Sequence, residues 1–195
     1  MSYLVTRPAP DFTAQAVMPD NQFREIKLSD FRGKYVVLFF YPLDFTFVCP
    51  SEIIALNNAL ASFRAKNTEV IAVSVDSHFS HGDRENTSDR EGGIGDTQYP
   101  LVFDVDKSIA RNYGIPVNDS LALRGLFLID KEGIIRHAVV NDLSLGRSVD
   151  EALRNVSALQ FTEKYGNVCP ANWQKDEEAM KPTAEGVAAY LAKHA

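Results

Sequence analysis

The stretch "YVVLFFYPLDFTFVCPSEIIALNNALASF", Tyr35–Phe63, decides the fold. Its first seven residues are continuous, apolar and rich in β-branched and aromatic side chains. Such a run predicts a strand covered on both faces. After the join, Ile53, Leu56, Leu60 and Phe63 fall on one face of a helix predicted over Ser51–Lys66. Pro50 sits where a first-turn proline belongs. At the junction is Cys49. Thiol-disulfide proteins often carry Cys-x-x-Cys at such a place, and this chain has Cys-Pro-Ser-Glu instead.

Working outward, Glu69–Asp76 "EVIAVSVD" and Gly125–Asp130 "GLFLID" are also predicted as buried strands. Ile134–Val140 follows the turn "DKEG" and predicts an antiparallel hairpin with the strand before it. Ser148-x-x-Glu151 is a capping-box pattern ahead of Val149, Leu153, Val156 and Leu159, so a helix is predicted over Val149–Tyr165. The order β-α-β, hairpin, helix implies an α/β domain with a mixed sheet. From Gly166 the chain turns loop-like and charged, with a short amphipathic helix expected over Thr183–Lys193. Residues 1–165 are therefore expected to form one domain and residues 166–195 an arm.

Composition bounds the function. The chain has 195 residues, 45% of them apolar, with a net charge of −6. A mildly acidic chain is a poor match for nucleic acid or anionic membranes. No apolar run approaches the ~20 residues that span a bilayer. The N-terminus lacks a basic region followed by an apolar one, so no secretory signal is expected. Two cysteines are too few for a disulfide scaffold, and a reducing, cytoplasmic setting is the expectation.

At a helix start, free backbone N–H groups and the positive end of the helix dipole face the sulfur of Cys49 and favour its thiolate. A buried, inert cysteine is the plainer alternative. Cys169 lies in a second Val-Cys-Pro. The two cysteines pair only where folding or dimerisation brings their Cα atoms within about 7 Å. Four scattered histidines, His78, His81, His137 and His194, give no zinc-type spacing. A cysteine hydrolase needs a histidine base, which sequence alone leaves open.

Several pieces together resemble the peroxiredoxins. "YPLDFTFVCPSEI" resembles their Pro-x-x-x-Thr/Ser-x-x-Cys motif, here Pro42, Thr46 and Cys49. "LRGLFLID" resembles the segment of the active-site arginine, here Arg124. "GRSVDE" resembles that of a second arginine, Arg147, and "VCPANW" the resolving-cysteine motif, here Cys169. The match covers nearly the whole chain and is best for the typical two-cysteine subgroup, which includes the peroxidase component of bacterial alkyl hydroperoxide reductase.

That resemblance implies a thioredoxin-like fold and a thiol peroxidase acting on hydrogen peroxide and organic hydroperoxides. Cys49 becomes a sulfenic acid. Cys169 of a second subunit then forms an intersubunit disulfide. Thioredoxin or a flavoprotein disulfide reductase reduces it, and no cofactor or metal is required. Thr46 and the backbone N–H groups of Val48 and Cys49 would hold the peroxide, Pro42 would cover the site, and Glu52 with Arg147 would orient Arg124. Some family members act instead as a holdase chaperone or a peroxide-sensing redox relay.

Two places depart from the family pattern. Gly82-Asp83-Arg84-Glu85 replaces an apolar run ending in tryptophan, near the contact that joins dimers into a ring. A homodimer is expected, with its pentamer of dimers weakened. "GGIG" (Gly92–Gly95) is paired with Tyr190-Leu191 rather than Tyr-Phe, which implies intermediate sensitivity to overoxidation.

Overall fold

The structure is a computed structural model that describes residues 4–43, 48–76, 94–118 and 120–194. Thr46, His78, His81, Gly82-Asp83-Arg84-Glu85, Gly92 and Gly93 lie outside the described residues. The chain forms two compact units, residues 1–149 and residues 150–195.

The first unit is built on a seven-stranded mixed sheet with strand order β2 (Phe23–Lys27), β1 (Thr13–Val17), β5 (Leu101–Phe103), β4 (Thr68–Ser74), β3 (Tyr35–Phe40), β8 (Arg124–Ile129), β9 (Ile135–Asn141). The predicted central run is β3 (Tyr35–Phe40), buried along its whole length. It leads into helix α1 (Cys49–Arg64) and then β4 (Thr68–Ser74). β4 lies parallel to β3, with Val37 opposite Val70 and Phe39 opposite Ala72. Ile53, Leu56, Leu60 and Phe63 form the buried stripe of α1, as their spacing predicts.

The expected hairpin is β8 (Arg124–Ile129) and β9 (Ile135–Asn141), paired antiparallel. Its turn closes on Gly133, whose φ of +80° is a left-handed conformation that glycine adopts at little cost. The Asp130 carboxylate accepts from the Ile134 N–H at 2.8 Å and fixes that turn.

Three strands of this sheet were not predicted. They are β1 (Thr13–Val17), β2 (Phe23–Lys27) and the three-residue β5 (Leu101–Phe103). β1 pairs antiparallel with both of the others and so attaches an N-terminal hairpin to the sheet. "TAQAV" and "FREIK" are short and hold only Val17, Phe23 and Ile26 as large apolar residues, and their strand form comes from pairing rather than from propensity. A two-stranded ribbon, β6 (Pro116–Val117) and β7 (Leu121–Ala122), stands apart.

The sheet positions the site through β3 and β8. They pair antiparallel, with Phe39 opposite Leu126 and Val37 opposite Leu128. Phe40, Tyr113 and Phe127 pack ring against ring at centroid distances of 4.9 to 5.8 Å. Such aromatic clusters fix strand geometry beyond their area burial. Arg124 therefore starts β8 beside the point where β3 ends and the chain leaves for α1. Gly125 follows it because a Cβ there would lie 3.0 Å from both Ile115 and Phe127.

In the second unit the helix Val149–Tyr165 carries Ala152 and Val156 as its buried residues. The predicted C-terminal helix is present as Ala184–His194. Between them Val168 and Met180 exchange backbone hydrogen bonds at 2.9 and 3.0 Å, closing the loop that carries Cys169.

Candidate active site

Cys49 is the first residue of α1, with Val48 as its N-cap and Pro50 in the first turn. The side chain of Cys49 is fully buried, at 0% exposure. Pro42, just past β3, is buried as well. No side chain caps the helix start. The Ser51 hydroxyl donates to the Val48 carbonyl at 2.7 Å, and the Glu52 N–H reaches the same carbonyl only at 3.4 Å. That end of the helix is held loosely at its backbone and tightly by one side chain.

The side chain is Glu52, one turn below the sulfur and 4% exposed. Its Oε2 accepts from Arg124 Nη1 at 2.8 Å and from Arg147 Nη2 at 3.0 Å. Its Oε1 accepts from the Arg147 backbone N–H at 2.8 Å and from Arg147 Nε at 2.9 Å. Charge-assisted, partly bidentate bonds of this kind are the strong ones in proteins. They satisfy a carboxylate whose burial would otherwise be prohibitive.

Arg124 is itself 3% exposed. Its Nε donates to the Leu143 carbonyl at 2.6 Å, which locks the guanidinium plane. Its Nη1 then points at two acceptors at once, Glu52 Oε2 and, at 3.3 Å, Cys49 Sγ. A guanidinium N–H aimed at sulfur is a charged donor held in contact with it. It is also a fixed donor for oxygen that approaches the sulfur.

Arg147 does not touch the sulfur. Its Nη1 donates to the carbonyls of Phe40 at 2.7 Å and Gly125 at 2.5 Å. Its guanidinium carbon stacks 3.9 Å over the Phe39 ring. Burial pulls the Arg147 guanidinium toward the neutral form, and its bonds to Glu52 oppose that. Arg147 thus ties Glu52 to the ends of β3 and β8, and Glu52 in turn orients Arg124.

The structure brings together Cys49, Glu52, Arg124 and Arg147 as the sequence proposed. Thr46 falls outside the described residues. Cys169 belongs to the second unit, where it is half-buried. Sequence reasoning missed the acceptors, which are the Leu143, Phe40 and Gly125 carbonyls, and the Phe39 ring. Backbone carbonyls carry no sequence signal. Among the described residues no three His, Cys, Asp or Glu side chains assemble into a metal site.

A buried cysteine at a strand-to-helix junction, with a fixed guanidinium on its sulfur, defines the class as thiol-based peroxidases of thioredoxin-like fold. Comparisons with known proteins give the family. The AhpC/TSA family model matches residues 5–138, and the model for the C-terminal domain of 1-Cys peroxiredoxin matches residues 158–193. Peroxiredoxin-1 of Gallus gallus is 54% identical over 190 residues, covering 97% of this chain and 96% of the relative. The reduced 2-Cys peroxiredoxin of Plasmodium vivax superposes with a TM-score of 0.96 at 52% identity, covering 98% of this chain and all of that one. Thioredoxin peroxidase I of Plasmodium yoelii superposes with a TM-score of 0.79 at 57% identity, over 88% of this chain and 99% of that one. The chain belongs to the AhpC/TSA family, the peroxiredoxins, and is a thiol-dependent peroxidase.

Replacing Glu52 tests the network. Glu52→Gln leaves two buried guanidinium groups without their counter-charge. It is expected to cost about 3–5 kcal/mol of stability and to slow Cys49 oxidation. Denaturant unfolding together with stopped-flow oxidation reads both. A loss below about 1 kcal/mol, the size of an exposed pair, would show that Glu52 is not the anchor.

Proposed function

We propose that the chain reduces hydrogen peroxide and organic hydroperoxides at Cys49 and is recycled through a disulfide with Cys169 of a second copy. The observation that carries this reading is the single Arg124 Nη1 shared between Cys49 Sγ and Glu52. In the first step the Cys49 thiolate attacks one peroxide oxygen. The S–O bond forms as the O–O bond breaks. The sulfur is oxidised to a sulfenic acid, the peroxide is reduced, and the leaving oxygen takes up a proton as water or alcohol. Arg124 stabilises the charge that develops on oxygen. The Thr46 hydroxyl and the Val48 and Cys49 N–H groups complete the proposed peroxide site, under the cover of Pro42.

The second step needs movement. A sulfur with no exposed surface cannot meet a second thiol, so Val48–Ser51 must open. The uncapped helix start suits that, while Glu52 and the Tyr99 hydroxyl, which donates to the Ile53 carbonyl at 2.9 Å, hold the helix just beyond. Thioredoxin is the proposed reductant, with a flavoprotein disulfide reductase as the other dithiol source. One solved relative is itself named a thioredoxin peroxidase. The proposed assembly is a homodimer, whose ring of five dimers is weakened by Gly82-Asp83-Arg84-Glu85. β9 at the sheet edge, with Val140 45% exposed, suits pairing with a second copy.

One equivalent of hydrogen peroxide should give a disulfide-linked dimer on non-reducing electrophoresis. Cys49→Ser and Cys169→Ser should each abolish it. Cys169→Ser should keep the first oxidation and lose turnover with thioredoxin. A linked dimer in the Cys169→Ser protein would overturn the resolving role. Light scattering over a dilution series should show dimers at low micromolar concentration, and a persistent decamer there would contradict the weakened ring.

A further inference from the structure

The helix Val149–Tyr165 does more than close the second unit. Arg154, Ala158 and Phe161 stand at i, i+4 and i+7, on one face. Each meets the loop that carries Cys169. Cys169 Sγ lies 3.8 Å from the Ala158 carbonyl. The Phe161 and Trp173 rings pack at 5.0 Å, and Trp173 is only 2% exposed. Arg154 Nη1 donates to the Trp173 carbonyl at 3.3 Å.

Arg154 is held for this. Its Nε and Nη2 form a fork on Glu151 Oε2 and Oε1 at 2.6 and 2.7 Å. Asn155 braces the same carboxylate with a bond of 2.9 Å. The loop is braced from its own side too. Trp173 Nε1 donates to the Glu177 carbonyl at 3.1 Å, and the Gln174 N–H donates to the Glu177 carboxylate at 2.7 Å.

We propose that Arg154, forked by Glu151 and tied to the Trp173 carbonyl, is a positioning residue for the resolving step, holding the Cys169 loop and stabilising its thiolate. This rests on the reading of Cys169 as the resolving thiol. Two effects act on that sulfur. Burial pushes the Cys169 thiol up, and the positive charge of Arg154 opposes the rise. The loop itself carries Lys175, Asp176, Glu177, Glu178 and Lys181, and the helix turns Arg154 and Glu151 toward it. Of these charges, Arg154 is the one that acts on the Cys169 sulfur. Because the thiolate is the nucleophile, its charge sets how much attacking species exists at neutral pH.

The step balances without a further oxidant. The Cys169 thiolate sulfur bonds to the Cys49 sulfur as the S–O bond of the sulfenic acid breaks. The oxygen leaves as hydroxide and takes up a proton to become water. The Cys49 sulfur is reduced and the Cys169 sulfur is oxidised, and both reach the disulfide level.

Trp173, the only tryptophan in the chain, reports the resolving phase in stopped-flow fluorescence after one equivalent of hydrogen peroxide. Arg154→Gln should leave the Cys49 oxidation phase unchanged. It should slow the resolving phase about tenfold near pH 7 and raise the midpoint of its pH profile by about one unit. Arg154→Lys should restore most of the midpoint. Iodoacetamide labelling of Cys169 in a Cys49→Ser background, followed by mass, should show the same upward shift without any turnover. A rate that falls equally at every pH, Gln and Lys variants that behave alike, or a labelling midpoint that stays or falls would make Arg154 merely structural and overturn the proposal. Cys169→Ser separates the two readings. A disulfide that forms without Cys169 removes the resolving role itself, whatever Arg154 does.

Discussion

The Glu52 carboxylate, buried between two guanidinium groups, is the constraint on which the rest of the site depends. It gathers residues from α1, from the start of β8 and from the segment after β9 onto two oxygen atoms. Bringing three charges out of water is costly, and the cost is recovered only when each bond is well placed. The sheet supplies that placement, because β3 and β8 present carbonyls to Arg147 while Phe39 carries its flat face. The buried cluster of Glu52, Arg124 and Arg147 holds two positive charges and one negative, and the Cys49 sulfur lies against one of the two cations.

The same arrangement sets up a conflict between the two halves of the proposed cycle. Attack on peroxide needs a closed, dry pocket around Cys49. Disulfide formation needs that sulfur in the open. The fold divides the two demands within a single turn of helix. The Glu52 N–H reaches the Val48 carbonyl only at 3.4 Å and no side chain caps the helix start, while the Glu52 carboxylate and the Ile53 carbonyl hold the turn beyond through bonds of 2.8 to 3.0 Å. Opening the first without breaking the second would leave the arginines in place for the next turnover. On the other side of the reaction, the Cys169 loop is built with its own charge and its own braces, inside its own compact unit.

Much of the fold was legible in the sequence because its centre is written in long apolar runs. Tyr35–Phe40 and the Ile53–Phe63 stripe gave β3 and α1, and the turn at Gly133 gave the β8–β9 hairpin. β1, β2 and β5 were not legible. They are short or polar and become strands through their neighbours. At the site, Cys49 was legible from its place at a helix start, while Glu52, Arg124 and Arg147 were legible only as a set, in the order the family resemblance supplies. Taken singly, each arginine reads as a surface residue. The contacts that orient them run to the carbonyls of Phe40, Gly125 and Leu143, which any residue type presents. Arg154 left a partial signal, since Glu151 at i−3 is a helical ion-pair spacing. Its link to the Cys169 loop depends on tertiary packing.

The central claim is that the Arg124 donor, fixed by Glu52, makes Cys49 far more reactive toward peroxide than its ionisation alone would. The direct measurement is the second-order rate of the fully reduced protein with hydrogen peroxide, by stopped flow, expressed per thiolate and set beside free cysteine. One fixed donor at a developing oxyanion is worth about a hundredfold or more, so the protein should exceed free cysteine by at least that factor, and Arg124→Ala should remove most of the excess. A rate per thiolate equal to that of free cysteine would contradict the account.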